Sequence, residues 1–148
     1  MKKIELPNDI LLSEVTSLLK EGKDVIIPTK GNSMLPFIRG ERDSVNLRLL
    51  DTLEEGDIVL AQIRPGVYVL HRVWSLDGDC VTLMGDGNLR GVEKCRRCDV
   101  SGTVMTILKD GGREVDCRSA GARRRAAAWR RLKPFRRIIL GIYRRIFL

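Results

Sequence analysis

Three residues in this chain have the types needed for acyl transfer: Ser33, His71 and Asp86. Ser33 follows Gly31-Asn32 and precedes Met34-Leu35-Pro36, a stiff turn that would present its hydroxyl to a cleft. A serine hydroxyl needs a neighbouring base, and histidine can take that proton and return it to a leaving amine. A carboxylate bonded to the imidazole would orient it. These residues predict a nucleophile at Ser33, a general base and acid at His71, and an orienting carboxylate at Asp86.

Each of the three residues also has a purely structural interpretation. A serine in a Gly-x-Ser turn commonly makes only a local hydrogen bond. A histidine on an apolar strand face is usually a satisfied core residue, and an aspartate in a tight turn often only shapes the loop. Arg72 is interpreted as a structural ion-pair or hydrogen-bond partner. The order of the three segments favours the functional interpretation of Ser33, His71 and Asp86.

Short apolar stretches separated by Gly and Pro turns predict a mainly β domain after one amphipathic helix. The helix is predicted from Asp9 to about Glu21. The residues of the predicted site follow or lie within the strands Val25–Thr29, Val67–Trp74 and Cys80–Met84. In the second of these strands, His71 alternates onto one face with three valines. Further strands are predicted at Ser44–Leu49, Ile58–Ile63, Val100–Leu108 and Arg113–Cys117, and a polar loop at Leu89–Asp99.

Four motifs occur in order: Gly31-Asn32-Ser33-Met34-Leu35-Pro36, Gly56-Asp57-Ile58-Val59, His71-Arg72-Val73 and Gly85-Asp86-Gly87-Asn88. They resemble motifs of the serine peptidase superfamily that contains signal peptidases and LexA-type self-cleaving repressors. The third and fourth are similar to those of archaeal and endoplasmic-reticulum signal peptidases, whereas bacterial signal peptidases and LexA-type proteins use lysine as the base. The resemblance covers roughly Val25 to Val115.

The resemblance implies a coiled β-barrel-like fold and a serine endopeptidase that cleaves a leader or signal-like segment. It implies no metal and no organic cofactor. An oxyanion formed during cleavage needs hydrogen-bond donors, and Gly31 has no side chain to supply one. Backbone N–H groups around Ser33 and Met34 are therefore the predicted donors. Gly31, Met34 and Pro36 are the predicted oxyanion and substrate-binding residues.

Charge divides the 148-residue chain into two parts, which predicts a β domain over residues 1–117 and a basic tail over residues 118–148. The net charge is +8. The tail contains ten arginines, one lysine and no acidic residue, whereas the first 117 residues carry a net charge of −3. The basic charge therefore predicts an anionic partner, such as lipid or nucleic acid, for the tail only.

The alanine- and arginine-rich composition of Ser119–Lys133 predicts a helix. The spacing of apolar residues predicts a second, amphipathic helix over Pro134–Leu148. In one interpretation the second helix lies in an anionic membrane surface; in the other its apolar stripe packs on the β domain, with the arginines as the solvated face. Nucleic acid is a less favoured partner, since no DNA-reading helix pair is evident. The apolar stripe on which the two interpretations depend consists of Phe135, Ile138, Ile139, Ile142 and Ile146.

The N-terminal residues and the cysteines bear on the compartment in which the protein is expected. No apolar segment follows Met1-Lys2-Lys3 as in a signal peptide, and no window approaches the ~18 apolar residues of a membrane span. The four cysteines are interpreted as thiols, and Cys95-Arg96-Arg97-Cys98 less favourably as half of a zinc site. We therefore expect a cytoplasmic protein, with the option of peripheral attachment at the inner face of the membrane.

Two other functions are compatible with the sequence. One is a catalytically silent module that binds an extended peptide by strand addition, although the presence of both Ser33 and His71 argues against it. The other is a self-cleaving regulator of the LexA type. Only 24 residues precede Val25, too few for a helix-turn-helix domain, which disfavours the regulator.

Overall fold

The computed structural model describes residues 8–147, with side chains from residue 11 onwards. Three α-helices frame eight β-strands. The helices are α1 (Asn8–Lys20), α2 (Ala120–Arg131) and α3 (Arg136–Phe147). The strands are β1 (Val25–Pro28), β2 (Ser44–Arg48), β3 (Ile58–Arg64), β4 (Val67–Asp77), β5 (Cys80–Met84), β6 (Glu93–Arg96), β7 (Val100–Leu108) and β8 (Glu114–Asp116). The predicted mainly β class with a leading helix is confirmed.

All eight strands belong to one antiparallel sheet in the order β1-β2-β7-β3-β4-β5-β6, with β8 paired to β7. The sheet bends back on itself at one end. Strand β6 contacts β3 although β4 and β5 separate the two in the sheet order. The long strand β4 therefore lies centrally in the curled half, where it presents alternate side chains to two environments.

Two apolar clusters fill the two sides of this sheet. The first lies under α1 and contains Val15, Leu19, Val45, Leu47 and Val104, with Leu60 from β3. The second lies inside the curl of β3 to β7 and contains Val59, Ala61, Val73, Val81, Leu83, Cys95 and Val100. Strand β4 contributes to both, because Leu70 packs on the first cluster and Val69 and Val73 on the second. The predicted alternation along β4 is confirmed.

The predicted polar loop Leu89–Asp99 is wrong over its second half. Residues Glu93–Arg96 form β6, and a 3₁₀ turn follows at Arg97–Asp99. The register pairs Cys95 with Val81, and the Cys95 side chain is buried in the second cluster. Only one residue of β6 is buried, so the strand shows no alternation that could be recognised from sequence. Pairing with β5 supplies the rest of its stabilisation.

Helices α2 and α3 pack on the β domain. Trp129 of α2 and Leu140 of α3 form a third cluster with Leu35. Arg118, which precedes α2, pairs with the buried Asp57 at the start of β3 (N–O 3.1 Å). Part of the tail's basic charge is thus neutralised within the chain, rather than by the separate partner that its charge predicted.

The predicted apolar stripe of α3 does not form this packing face. Within the stripe, only Ile139 packs on the third cluster. The interpretation in which the whole stripe packs on the β domain is therefore wrong. The other four members remain exposed: Phe135 (57%), Ile138 (65%), Ile142 (55%) and Ile146 (68%).

Within residues 8–147, no helix is both long and apolar enough to cross a membrane. The N-terminal residues, for which the sequence predicts no signal peptide, lie outside the described part of the chain.

Candidate active site

Ser33 begins a compact turn after β1. Gly31 has a left-handed backbone (φ 74°), the conformation expected of a glycine here. The turn closes through hydrogen bonds from Leu35 N to Asn32 O (3.2 Å) and from Phe37 N to Met34 O (3.0 Å). The backbone N–H groups of Ser33 and Met34 donate no hydrogen bond within residues 8–147. Two donors therefore remain free beside the serine, as an oxyanion site requires.

The other predicted site residues of this turn are not equally accessible. Gly31 is exposed, and Pro36, which follows a cis peptide bond, is half-buried. The Met34 side chain belongs to the first apolar cluster, and its sulfur accepts a hydrogen bond from Asp86 N (3.5 Å). Met34 can therefore offer its backbone N–H to an oxyanion but not its side chain to a substrate.

The loop that carries Asp86 packs directly against the Ser33 turn. Gly87 N donates to Ser33 O (2.8 Å). A Cβ at Gly85 would lie 2.4 Å from Ser33 O, and a Cβ at Gly87 would lie 2.3 Å from Asn32 O. Because atoms cannot approach so closely, only glycine permits this contact at either position. The structure thus brings together two of the three predicted segments.

Asp86 is buried and binds Arg72 through both carboxylate oxygens (Nε–Oδ1 2.8 Å, Nη2–Oδ2 2.7 Å). Arg72 also donates to Gly56 O (2.8 Å) and lies over the Phe37 ring. The predicted structural ion pair of Arg72 is confirmed. Asp86 makes no hydrogen bond to His71 among the described side chains, so its placement corresponds to the loop-shaping alternative.

His71 is buried on β4, opposite Val59 of β3, on the face that contributes to the second apolar cluster. Burial lowers the pKa of His71 below its ordinary value, and the charges of Glu93 and Asp86 offset part of this effect. Burial therefore favours the neutral form of the imidazole. Its Nδ1 is buried without a hydrogen-bond partner. Within residues 8–147, no hydrogen bond joins His71 to Ser33.

Glu93 is a carboxylate that the sequence analysis did not consider for the site. The register pairs Val73 with Leu83 and Leu83 with Glu93. Residues paired across antiparallel strands share a face, and so do alternate residues of one strand. Glu93 and His71 therefore share a face, whereas Arg72, the partner of Asp86, lies on the opposite one. The charge of Glu93 is also the largest electrostatic influence that raises the pKa of His71.

The C-terminal helices hold the same loops in place. Trp129 Nε1 donates to Asp86 O (2.9 Å), and Arg136 Nη1 donates to Asn88 O (3.2 Å). Leu35, two residues after Ser33, is fully buried against Trp129 and Leu140. Sequence reasoning missed these contacts because it treated the tail separately. A lone tryptophan in an Ala/Arg-rich helix was the available signal, since a buried indole N–H usually has a partner.

A buried ion pair fixes the chain just after the Ser33 turn. Lys109 Nζ donates to Phe37 O and to Asp43 Oδ2 (2.9 Å). Burial alone would raise the pKa of Asp43, but hydrogen bonds from Arg39 N, Lys109 and Asp110 N lower it below its ordinary value. The segment Phe37–Asp43 is therefore anchored to the end of β7.

The described residues contain no group of three or more His, Cys, Asp and Glu side chains that could hold a metal ion. The cysteines are free thiols, and burial raises the pKa of Cys95 and Cys117 to about 11 each. A separate cleft lies under α2. It is lined by Arg72, Asp86, Trp129 and Arg136, among others, but not by Ser33 or His71.

Comparison with known proteins places the chain in no family: no family profile matches it, and no curated protein is significantly similar to it.

Proposed function

We propose that this chain is a serine endopeptidase that cleaves one peptide bond in a leader or signal-like segment of a peptide or protein. Ser33 is the nucleophile and His71 the general base. The observation that carries the proposal is the buried imidazole of His71, whose Nδ1 has no partner. A buried polar atom without a partner is costly in a purely structural residue and is expected where a proton must be exchanged.

Contacts through Arg72 connect the two residues. Arg72 follows His71 on β4 and binds Asp86, and the Asp86 loop packs on the backbone of Ser33. The Ser33 turn is thus joined through the Asp86 loop to β4, the strand that carries His71. The Ser33–His71 hydrogen bond, which is absent from the described residues, would form when substrate binds, since catalytic hydrogen bonds are often long before that.

The reaction follows from these roles. Ser33 Oγ attacks the scissile carbonyl carbon while His71 takes the hydroxyl proton. The C–N bond then breaks as His71 returns the proton to the leaving amine, which leaves an ester on Ser33. Water, deprotonated by His71, hydrolyses that ester, and the proton goes back to Ser33. The free N–H groups of Ser33 and Met34 would stabilise the negative oxygen formed in each half.

The proposal gives the orienting role to Glu93 rather than to Asp86. Both oxygens of Asp86 are bound by Arg72, whereas Glu93 shares a sheet face with His71. A carboxylate on that face stabilises the imidazolium that forms during attack. In this proposal Asp86 keeps the loop on the Ser33 turn, and Glu93 acts on the imidazole.

The proposed fold is the coiled β fold of the signal peptidase and LexA type. Support comes from the order of the four motifs and from the curled antiparallel sheet, in which β6 contacts β3. The motifs also meet in space, because Arg72 connects Gly56 O with the Asp86 carboxylate.

The test uses a peptide library derived from a whole proteome and mass spectrometry of its cleavage products. The wild-type chain should cleave a restricted set of peptides. Ser33→Ala and His71→Ala should each abolish cleavage with the fold intact, and Asp86→Asn should cost less than either. Ser17→Ala, which removes a hydroxyl bonded within α1, is the control and should cleave normally. Cleavage that survives in folded Ser33→Ala would refute the proposal.

The second candidate is a catalytically silent module of the same fold that binds an extended peptide. The specific observation in its favour is that no hydrogen bond joins Ser33 and His71 in the described residues. It predicts saturable binding of library peptides without any cleavage, and binding that is unchanged by Ser33→Ala. Recovery of bound peptides intact from the wild-type chain would distinguish it from the peptidase.

A further inference from the structure

Helix α3 presents two different faces. One face packs on the β domain through Arg136 and Leu140. The other consists of large apolar side chains at helical spacing, each more than half exposed: Ile138 (65%), Ile142 (55%) and Ile146 (68%). Phe135 (57%), in the 3₁₀ turn just before the helix, continues this face. Side chains three, four and seven residues apart on a helix form one continuous stripe. The exposed stripe is therefore a surface that nothing in the described chain covers.

Unpaired positive charge borders this stripe. Arg137 and Arg145 line the same shallow groove as Ile138 and Ile142. Arg137, Arg144 and Arg145 form no ion pair within residues 8–147, in contrast to Arg118, which is paired to Asp57. No acidic residue follows Asp116 in the sequence, so α3 itself supplies no acidic side chain to compensate these arginines.

We propose that the exposed stripe of α3, with its flanking arginines, docks on an anionic lipid membrane surface. An apolar helix face bordered by arginines matches the boundary between acyl chains and anionic headgroups. A second copy of the chain is a poorer match, because two such faces would bring their arginines together. Nucleic acid is also a poorer match, because its phosphates would leave the isoleucines uncovered. The proposal does not depend on peptidase activity.

Docking would fix the orientation of the candidate active site. Leu140, on the packed face of α3, contacts Leu35, which closely follows Ser33. A docked α3 would therefore separate the lipid from the Ser33 turn by one helix diameter, ~10 Å.

The test is co-sedimentation of the full-length chain with vesicles of equal parts phosphatidylserine and phosphatidylcholine, compared with pure phosphatidylcholine. Binding should be strong on the anionic vesicles at ~0.05 M salt and much weaker at ~0.5 M, because salt screens exposed charges. The double substitution Ile138→Gln/Ile142→Gln should lower the partition coefficient about hundredfold. Each isoleucine that the wild-type chain buries in the membrane accounts for about tenfold of this loss. Ile26→Gln on β1 is the matched control, since Ile26 is 59% exposed and lies elsewhere, and it should bind normally.

The electrostatic part has its own pair of variants. Arg137→Gln/Arg144→Gln/Arg145→Gln should lower anionic binding about hundredfold, at about fivefold per arginine. The control Arg64→Gln/Arg90→Gln/Arg113→Gln removes the same charge from other exposed positions and should bind almost as well as wild type.

Three results would overturn the proposal. The first is absence of wild-type binding to anionic vesicles, and the second is equal binding by wild type and Ile138→Gln/Ile142→Gln. The third is a stable dimer in sedimentation velocity that this double variant dissociates, without vesicle binding, which would assign the stripe to self-association. All four isoleucine and arginine variants change exposed residues, and thermal unfolding confirms that they fold.

Discussion

Replacing Gly87 by alanine should disable the proposed active site through a contact measurable in the structure. The added Cβ would lie 2.3 Å from Asn32 O and 3.3 Å from Leu35 N, whereas ordinary contacts are 3.4 Å or longer. The Asp86 loop and the Ser33 turn must therefore separate by about 1 Å, which also stretches the Gly87 N–Ser33 O hydrogen bond of 2.8 Å. Overpacking of this kind costs about 1–3 kcal/mol of unfolding free energy. A displacement of ~1 Å at a nucleophile costs about a hundredfold in rate.

The assay combines chemical denaturation with kcat/KM on a peptide that the wild-type chain cleaves. Gly87→Ala should fold, lose about 1–3 kcal/mol and cleave about a hundredfold more slowly. Gly91→Ala is the matched control: a Cβ there meets nothing within 4 Å, so both quantities should stay unchanged. A folded Gly87→Ala protein that cleaves at the wild-type rate would refute the assignment of the Ser33 turn to the active site.

Three further outcomes follow from the same contacts. Glu93→Gln removes the charge that most raises the pKa of His71, so the acidic limb of the pH profile of kcat/KM should move to lower pH. The limb should move further than in Asp86→Asn. A larger movement in Asp86→Asn would return the orienting role to Asp86. Trp129→Phe leaves the buried Asp86 carbonyl unpaired and should lower the free energy of unfolding by about 1–3 kcal/mol, measured by denaturation. The control Trp74→Phe breaks no described indole hydrogen bond and should lower it less. Equal losses in the two variants would contradict the Trp129 contact. Asp43→Asn breaks a buried pair and should cost about 3–5 kcal/mol at pH 7. Because the pKa of Asp43 is lowered from 3.8 in the folded chain, this difference from wild type should shrink as the pH falls below about 4, and a constant difference would contradict it.

Most of the strands could be predicted from the alternation of apolar and polar residues in the sequence. The alternation around His71 in β4 and the Gly and Pro turns on either side of β3 are local properties, so sequence alone located those strands. Strand β6 was missed because only Cys95 is buried in it, and its pairing with β5 depends on the curl of the whole sheet.

The candidate site was predicted as residue types, but its connections were not. In the structure, close contacts of Gly85 and Gly87 bring the Asp86 loop onto the Ser33 turn. The choice of Arg72 as the partner of Asp86, rather than His71, depends on which strand face each side chain occupies. Glu93 was overlooked because β6 was taken for a loop, which concealed the face it shares with His71.

The tail was the hardest part to predict. Its amphipathic helix was evident, but an apolar stripe does not indicate which side of a helix packs on its own domain. In the structure Arg136 and Leu140 are buried while Ile138 and Ile142 are exposed. A buried arginine is unexpected from composition, and it is accommodated here between the Trp74 and Trp129 rings.

The most direct test of the central claim is a mass-spectrometric survey of protein N-termini in cells that carry either the wild-type chain or Ser33→Ala. We predict that a small set of N-termini disappears in the mutant, which would identify the substrates and the sequence preference of the peptidase. Identical sets of N-termini, with both proteins expressed and folded, would contradict the claim that Ser33 is the nucleophile of a processing peptidase.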